Sequence, residues 1–262
     1  MSTPSELAPL PLTGERTVPD VAQENYWFRR HEAVYQMLLA SGDGPRDGLV
    51  VLEAGSGEGY GANLLARRAG TVVALDYDQQ AIAHTNAKYP EVAAVRGNLA
   101  QLPFRSGSID IVVNLQVIEH LWDQLGFLRE CWRVLRGGGT LVVSTPNRIT
   151  FSPGRDTPLN PFHTKEFAPK ELWDLMAEAG FRQSSLVGLY HGGRLARLDA
   201  ERPGGLIGAQ TELALSGGPW PDELLDAVSS VTTDDFDFEA RDFARIGELD
   251  DCLDLIASGV KA

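Results

Sequence analysis

Residues 50–60 of the chain read VVLEAGSGEGY, and this stretch decides the fold. Consecutive apolar residues at its start indicate a strand buried on both faces, as in a parallel sheet. The glycines that follow, Gly55, Gly57 and Gly59, indicate a tight turn that leads into a helical run over residues 62–68. Because a helix begins with free N–H groups, a ligand at this turn meets hydrogen-bond donors. The stretch therefore predicts a ligand site in an α/β sheet.

The glycine spacing differs from that of dinucleotide-binding enzymes, which use Gly-x-Gly-x-x-Gly. Here the third glycine comes one residue earlier, and Glu53 stands two residues before Gly55. A second apolar run, residues 71–75, ends in Asp76. A carboxylate at the end of such a strand can accept hydrogen bonds from both hydroxyls of a ribose. A purely structural turn is the alternative, and Asp76 at this position counts against it.

The order Glu-x-Gly-x-Gly-x-Gly, from Glu53 to Gly59, resembles the nucleotide-binding motif of class I S-adenosylmethionine-dependent methyltransferases. The resemblance covers about residues 49–190. It implies an α/β, Rossmann-like, doubly wound sheet of seven mostly parallel strands with an antiparallel last strand, plus a helical lid or insertion. The expected divisions are an N-terminal arm and lid helix (1–48), the cofactor-binding core (49–190), a helical insertion or lid (191–245) and a C-terminal strand that completes the sheet (246–262).

Further residues of the cofactor site follow from the same resemblance. Residues 98–104 are similar to the family loop Asp-Ala-x-x-Leu-Pro-Phe. Asn98 stands where Asp is usual, and its amide oxygen can still accept from the adenine amino group. The helix predicted over residues 24–39 is expected to cover the cofactor, with an arginine meeting the methionine carboxylate. The implied cofactor-binding residues are Tyr26, Arg30, Glu53, Gly55, Gly57, Gly59, Asp76, Tyr77, Asn98, Leu99 and Gln116.

A histidine follows the fourth predicted strand, at the edge where open α/β sheets bind ligands. We expect this residue, His120, to be the general base that deprotonates an acceptor hydroxyl, because a histidine pKa near 6.5 suits that role. Glu119 is expected to orient it or to bind the acceptor. His163 is the second candidate base, and a structural role is the alternative for both histidines. The predicted acceptor-binding residues are Arg148, His163 and Tyr190.

Three stretches carry a closer resemblance: residues 13–19, 24–31 and 144–156. Together they look like the mycobacterial methyltransferases of polymethylated polysaccharide synthesis. This implies methylation of a sugar hydroxyl, with the anomeric 1-OH of a 3-O-methylmannoside in methylmannose polysaccharide synthesis as the expected acceptor. Methylglucose lipopolysaccharide synthesis remains an alternative, as does a quinone or lipid precursor. Some sugar O-methyltransferases use a divalent cation such as magnesium, but no tight ligand cluster stands out, so the metal stays unassigned.

Composition narrows the range of partners. The chain has 262 residues, with 23 basic and 36 acidic side chains and a net charge of −13. Nucleic acids and anionic membranes attract clustered Lys and Arg, so we expect neither as a partner and expect a small-molecule or oligosaccharide acceptor. No apolar stretch has the length of a membrane span, and the two cysteines lack metal spacing, which favours a cytoplasmic protein. The insertion is expected to form part of a lid or a homodimer surface.

Two other functional classes remain open. A nicotinamide-dependent oxidoreductase would share the strand, turn and helix, but the glycine spacing counts against it. A binding or regulatory protein that keeps the fold without turnover is the second, and His120 beside an intact glycine turn counts against that one.

Overall fold

One sheet of eight strands runs through the part of the chain that the computed structural model describes, which is residues 10–11, 16–42, 44–241, 246 and 248–262. The strands are β1 Val50–Ala54, β2 Thr71–Asp76, β3 Ala93–Arg96, β4 Ile109–Leu115, β5 Leu135–Pro146, β6 Phe181–His191, β7 Phe236–Arg241 and β8 Asp254–Lys261. The helices are α1 Asn25–Ala40, α2 Tyr60–Ala66, α3 Gln79–Lys88, α4 Gln124–Val134, α5 Arg148–Phe151, α6 Pro169–Glu178, α7 Gly193–Ala200, α8 Gly205–Ser216 and α9 Asp222–Ser229.

The sheet has the strand order β3-β2-β1-β4-β5-β8-β6-β7. Strands β1 to β5 pair in parallel, whereas β8 pairs antiparallel with both β5 and β6. Neighbouring parallel strands need crossover connections, and α2, α3 and α4 lie in three of these. The prediction of a doubly wound, mostly parallel α/β sheet with an antiparallel last strand is therefore confirmed.

The expected number of strands was wrong, because an eighth strand lies inside the stretch that we predicted to be helical. Strand β7 pairs antiparallel with β6 at the edge of the sheet. Its sequence alternates apolar Phe236 and Phe238 with acidic Asp237 and Glu239, which is the period of a strand with one buried face. Among the described residues, no helix is long and apolar enough to cross a membrane.

Alternate residues of each central strand bury against opposite layers of the molecule. On β1, Val51 packs with Tyr35 of α1 and Leu65 of α2 on one side of the sheet. Its neighbour Leu52 packs with Leu128 of α4 on the other side. Successive side chains of a strand point to opposite faces, so a continuous apolar run becomes the core of both layers.

The connections from β1 and β4 leave the sheet in opposite directions, which opens a crevice at the carboxyl ends of these adjacent strands. Gly55 follows the end of β1, Asp76 ends the neighbouring β2, and Gln116 follows the end of β4. The fold therefore brings these three residues to one edge of the sheet.

A buried ion pair joins α1 to the last strand. The Nε atom of Arg30 donates to Asp254 Oδ2 at 2.7 Å, and Nη2 donates to Asp254 Oδ1 and to the Leu253 carbonyl. The two side chains are 1% and 0% exposed. A bidentate pair of this kind fixes both the position and the orientation of α1 over the sheet.

We expect Arg30→Ala to lower the free energy of unfolding by about 3–5 kcal/mol, because it leaves the Asp254 carboxylate buried without its counter-charge. The measurement is urea unfolding at equilibrium. Arg29→Ala is the matched control: Arg29 is 37% exposed and its polar partners, Glu32 and Asn25, lie on its own helix, so its loss should cost less than about 1 kcal/mol. Equal effects of the two substitutions would contradict the assignment.

Candidate cofactor and acceptor site

A cleft of about 1120 Å³ lies at the carboxyl edge of the sheet. Its lining includes Gly55, Gly57 and Asp76, and also His120 and His163; we name the part around the two histidines the acceptor end. Sites for small molecules commonly measure about 300–1,000 Å³. The cleft is therefore large enough for a cofactor and an acceptor side by side.

The glycine turn takes backbone angles that other residues rarely adopt. Gly55, Gly57 and Gly59 have φ values of 87°, 51° and 92°. A Cβ atom on Gly55 would lie 2.7 Å from the Val117 side chain, and one on Gly59 would lie 2.5 Å from Thr85. The turn thus depends on these glycines both for conformation and for space. Gly55 and Gly57 line the cleft, whereas Gly59 is outside its lining and precedes α2.

Asp76 is held at the floor of the cleft by the backbone around it. Its Oδ2 accepts from the Gly57 N–H at 2.8 Å, and its Oδ1 accepts from the Asp78 N–H at 2.9 Å. Each carboxylate oxygen has a second lone pair, so both can still accept from hydroxyl groups. The nearby Ser56 Oγ is buried, lines the cleft and has no partner among the described residues. These donors and acceptors fit the nucleoside and amino-acid parts of S-adenosylmethionine.

Residues on neighbouring loops complete this end of the cleft. Tyr77, Asn98, Leu99 and Gln116 all line it. Asn98 Oδ1 already accepts from the Ala100 N–H at 2.9 Å, which orients the amide and leaves one lone pair for a further donor. Gln116 has a φ of 55°, a strained value for a residue with a side chain, and strain of this kind is concentrated at functional sites.

The structure places Glu53 behind the cleft rather than in its lining. The carboxyl group accepts a hydrogen bond from the Tyr35 hydroxyl, and burial raises its pKa to about 8. A Cβ atom at position 61 would overlap the side chains of both Glu53 and Tyr35, so this position requires glycine. Glu53 therefore fastens α1 to the sheet beneath the turn. Sequence reasoning missed Tyr35 and Gly61, since neither lies at a family motif position.

Tyr26 also lies outside the lining, because its hydroxyl is turned inward to His191 Nε2 at 2.7 Å. Arg30 does line the cleft, but its guanidinium is engaged by Asp254. Tyr26 therefore differs from the expectation of direct contact with the cofactor, since its hydroxyl is used within the protein. Arg30 Nη1 is buried without a partner among the described residues, and Arg30 lines the cleft, so its contact with the cofactor stays a prediction.

Of the expected acceptor residues, His163 lines the cleft and the other two do not. Arg148 is 44% exposed and pairs with Glu171 of α6 at 3.5 Å, so its charge is directed away from the cleft. Tyr190 packs against the core on the far side of β6. Helix α8 contributes instead, with Gln210 and Leu215 in the lining.

Glu119, His120 and His163 meet at the acceptor end of the cleft. Their potential ligand atoms all lie within 4.8 Å of one another. The two imidazole rings are nearly perpendicular, at 89°, with centroids 4.8 Å apart. The loop that carries His163 is tied to Glu119, whose carbonyl accepts from the Thr164 N–H at 2.7 Å. The tertiary fold thus creates a cluster that no spacing in the sequence indicates.

Hydrogen bonds fix the orientation of each member. His120 Nδ1 lies 3.1 Å from the Phe162 carbonyl, to which it donates. His163 Nδ1 lies 2.7 Å from Glu166 Oε1. Burial and the neighbouring His163 lower the pKa of His120 to about 4, so its ring is neutral and Nε2 carries a free lone pair. Burial raises the pKa of Glu119 to about 7.

Residues 52–143 match the family described as "Methyltransferase domain". A protein of Mycolicibacterium smegmatis described as a "Probable S-adenosylmethionine-dependent methyltransferase" is 55% identical, and the alignment covers 100% of both chains. A Mycobacterium tuberculosis protein with the same description is 56% identical over 97% of this chain and 90% of its own length. A ubiquinone biosynthesis O-methyltransferase of Rhizobium rhizogenes is 36% identical, over 40% of this chain and 44% of its own length.

Solved structures of low sequence identity share the fold. A Thermotoga maritima S-adenosylmethionine-dependent methyltransferase, described as a "possible histamine N-methyltransferase", matches with a TM-score of 0.60 and 17% identity over 92% of this chain and 91% of its own. A geranyl diphosphate methyltransferase in complex with S-adenosylmethionine matches with a TM-score of 0.56 and 15% identity, over 91% and 86%. At these identities the likeness concerns the fold alone.

Proposed function

We propose that this chain, which belongs to the class I S-adenosylmethionine-dependent methyltransferases, methylates a hydroxyl group of a carbohydrate acceptor. The chain is an enzyme, and its cofactor is S-adenosylmethionine. The observation that carries the proposal is the cluster of Glu119, His120 and His163, which lines the same cleft as Asp76. A methyl donor bound along the glycine turn has this polar cluster within the same cleft.

The lining at the acceptor end suits a sugar. It combines the polar cluster with the aromatic side chains of Trp27 and Phe162. A pyranose presents hydroxyl groups at its edges and C–H groups on its faces, so it can use hydrogen-bonding and aromatic partners together. A quinone or isoprenoid acceptor offers fewer hydroxyl groups to this polar cluster than a sugar does, so it would use the cluster less fully.

We take the anomeric 1-OH of a 3-O-methylmannoside, in methylmannose polysaccharide synthesis, as the specific acceptor. Its support is the resemblance of residues 24–31 and 144–156 to the mycobacterial methyltransferases of polymethylated polysaccharides. In the third stretch of that resemblance, 13–19, residues 13–15 lie outside the described residues. Two mycobacterial relatives align with nearly the whole chain, which is consistent with this proposed acceptor. Their descriptions name no acceptor. Cytoplasmic location stays a prediction.

The chemistry requires that the acceptor oxygen and the methyl group are aligned and that the hydroxyl loses its proton. The sulfonium centre of S-adenosylmethionine supplies the electrophilic methyl group. Alignment of two bound partners can supply about 7–11 kcal/mol of the barrier. The Phe162 carbonyl fixes the His120 tautomer in which Nε2 is free to receive the hydroxyl proton, while the lowered pKa makes this nitrogen a weaker base than that of an unperturbed histidine. Glu119 is placed to bind a neighbouring acceptor group.

The test is transfer of labelled methyl groups from S-adenosylmethionine to a panel of acceptors. We expect label on 3-O-methylmannosides with a free anomeric hydroxyl, at a rate at least about tenfold above the rest of the panel. The matched control is the same mannoside with its anomeric oxygen already methylated, which should take no label. Label on the 1-O-methylated control would contradict attack at position 1.

Other acceptors in the panel test the alternatives. Label on glucosides alone would move the enzyme to methylglucose lipopolysaccharide synthesis. Label on a quinone precursor alone would overturn the carbohydrate proposal. The similarity to ubiquinone O-methyltransferases is confined to 40% of the chain, which favours a shared cofactor core over a shared acceptor.

A further inference from the structure

We propose that Glu119, His120 and His163 bind one divalent transition-metal cation at the acceptor end of the cleft. Two imidazoles and one carboxylate converge there, with one potential ligand atom from each residue inside a span of 4.8 Å. Glu119 and His120 come from the turn after β4, and His163 comes from the loop between α5 and α6. Convergence of two separate segments on one point is a common way to build a metal site.

Both histidines are already oriented as metal-ligating histidines usually are. Such residues donate the ring N–H that faces away from the metal to a carbonyl or a carboxylate. Here His120 Nδ1 faces the Phe162 carbonyl at 3.1 Å, and His163 Nδ1 faces Glu166 Oε1 at 2.7 Å. Each ring therefore offers Nε2 as the ligand atom.

The Glu119 carboxylate is also oriented by a hydrogen bond, whereas one hydrogen bond of His163 would be lost when a cation binds. Glu119 Oε2 accepts from the Thr145 hydroxyl at 2.9 Å, which fixes the carboxylate plane. His163 Nε2 lies 3.1 Å from Asn160 Nδ2. A bound cation would replace this hydrogen bond, and Asn160 lies in the lining of the cleft, where its amide can turn to solvent or acceptor.

The ligand types and distances indicate which cations fit. Bonds of about 2.0–2.2 Å hold two ligand atoms no more than about 4.4 Å apart. The observed 4.8 Å span must therefore close by at least a few tenths of an ångström, and by about 1.4 Å for tetrahedral coordination, through side-chain rotation. Imidazole ligands favour zinc, copper, iron or nickel, whereas Mg²⁺ prefers oxygen ligands and retained water. The site is therefore expected to select a transition-metal cation over magnesium.

The role of the cation rests on the proposed function, because that function places the acceptor hydroxyl beside this cluster. Positive charge next to the hydroxyl oxygen lowers its pKa. In the transfer the acceptor O–H and the S–CH₃ bonds break and an O–CH₃ bond forms. The products are the methyl ether, neutral S-adenosylhomocysteine and a proton, which passes to water in the cleft. His120 then acts as a ligand instead of accepting that proton itself.

Metal binding can be tested without any acceptor. The experiment titrates Co²⁺ into chelator-treated, dialysed protein and follows the visible absorption of Co²⁺ and the heat of binding. We expect one Co²⁺ per chain. His163→Asn should weaken binding by at least about 100-fold, because the new amide can still donate to Glu166 but the Nε2 ligand is gone. His84→Gln is the matched control, since its amide nitrogen can keep the contact that His84 Nε2 makes with Glu58 at 2.7 Å.

The outcomes separate this inference from the proposed function. No stoichiometric binding of Co²⁺, Mn²⁺ or Zn²⁺, or equal binding by His163→Asn and the wild type, would overturn the metal site. Full methyl transfer to a sugar by metal-free protein would overturn the catalytic role of the cation and leave the sugar proposal intact. Stoichiometric Co²⁺ binding that His163→Asn removes, with no transfer to any sugar, would support the site while the carbohydrate proposal fails.

Discussion

Replacing His120 with asparagine is expected to lower kcat by about 10²–10⁴, the usual contribution of a positioned acid–base group. The new side chain can still donate to the Phe162 carbonyl, so the loop should keep its place, but the Nε2 lone pair is gone. The affinity for S-adenosylmethionine should stay within about threefold of the wild type, because His120 lies at the acceptor end of the cleft. Single-turnover kinetics with labelled cofactor measure the first effect, and calorimetry measures the second.

His84→Gln serves as the control here as well. His84 is a buried histidine of α3 whose partner is Glu58, and it is outside the lining of the cleft. Its substitution should leave kcat unchanged. A His120→Asn enzyme with near-normal kcat would remove His120 from the catalytic step, whether as a base or as a metal ligand. If kcat does fall, the Co²⁺ titration distinguishes a general base from a metal ligand.

Asp76→Ala is expected to raise the Kd for S-adenosylmethionine by at least about 100-fold. Each hydrogen bond to a charged group is worth about 1.5–3 kcal/mol, and two ribose hydroxyls are proposed to use this carboxylate. Loss of the carboxylate also removes the acceptor that holds the Gly57 N–H, so the glycine turn loses its anchor. Calorimetric titration with S-adenosylmethionine and with S-adenosylhomocysteine measures the effect, and the two ligands should be affected alike.

Two further variants make this test specific. Asp76→Asn keeps an acceptor oxygen and should weaken binding less than alanine does. Asp174→Ala removes an exposed carboxylate of α6 that pairs with Lys170, and it should leave the Kd unchanged. An Asp76→Ala protein with a Kd within threefold of the wild type, and with unchanged thermal stability, would show that another residue binds the ribose.

The cofactor part of the cleft could be predicted from the sequence because each of its residues lies close in sequence to the end of a strand. The glycines, Asp76 and the residues after β3 and β4 each follow directly on a strand, and parallel strands carry such residues to the same sheet edge. Eight of the eleven expected cofactor residues line the cleft: Arg30, Gly55, Gly57, Asp76, Tyr77, Asn98, Leu99 and Gln116. Their contacts with the cofactor stay predictions.

The positions that sequence reasoning placed differently depend on side-chain partners that are distant in the chain. The Nε and Nη2 atoms of Arg30 pair with Asp254, and the Tyr26 hydroxyl pairs with His191, so these atoms are used within the protein. Strand β7 carried an alternating pattern, but its residues stood within a stretch dominated by helical signals. Local periodicity could have identified the strand, whereas no local pattern reveals which buried charges will pair.

The sequence by itself determined the sheet, the glycine turn and the position of Asp76, because each rests on covalent order and on backbone geometry within a few residues. Only the tertiary structure decided that Glu119, His120 and His163 meet. The loop that carries His163 folds back because the Glu119 carbonyl accepts the Thr164 and Lys165 N–H groups, at 2.7 and 3.2 Å. Hydrogen bonds between distant segments of the chain, which no local spacing encodes, therefore created the acceptor end of the cleft.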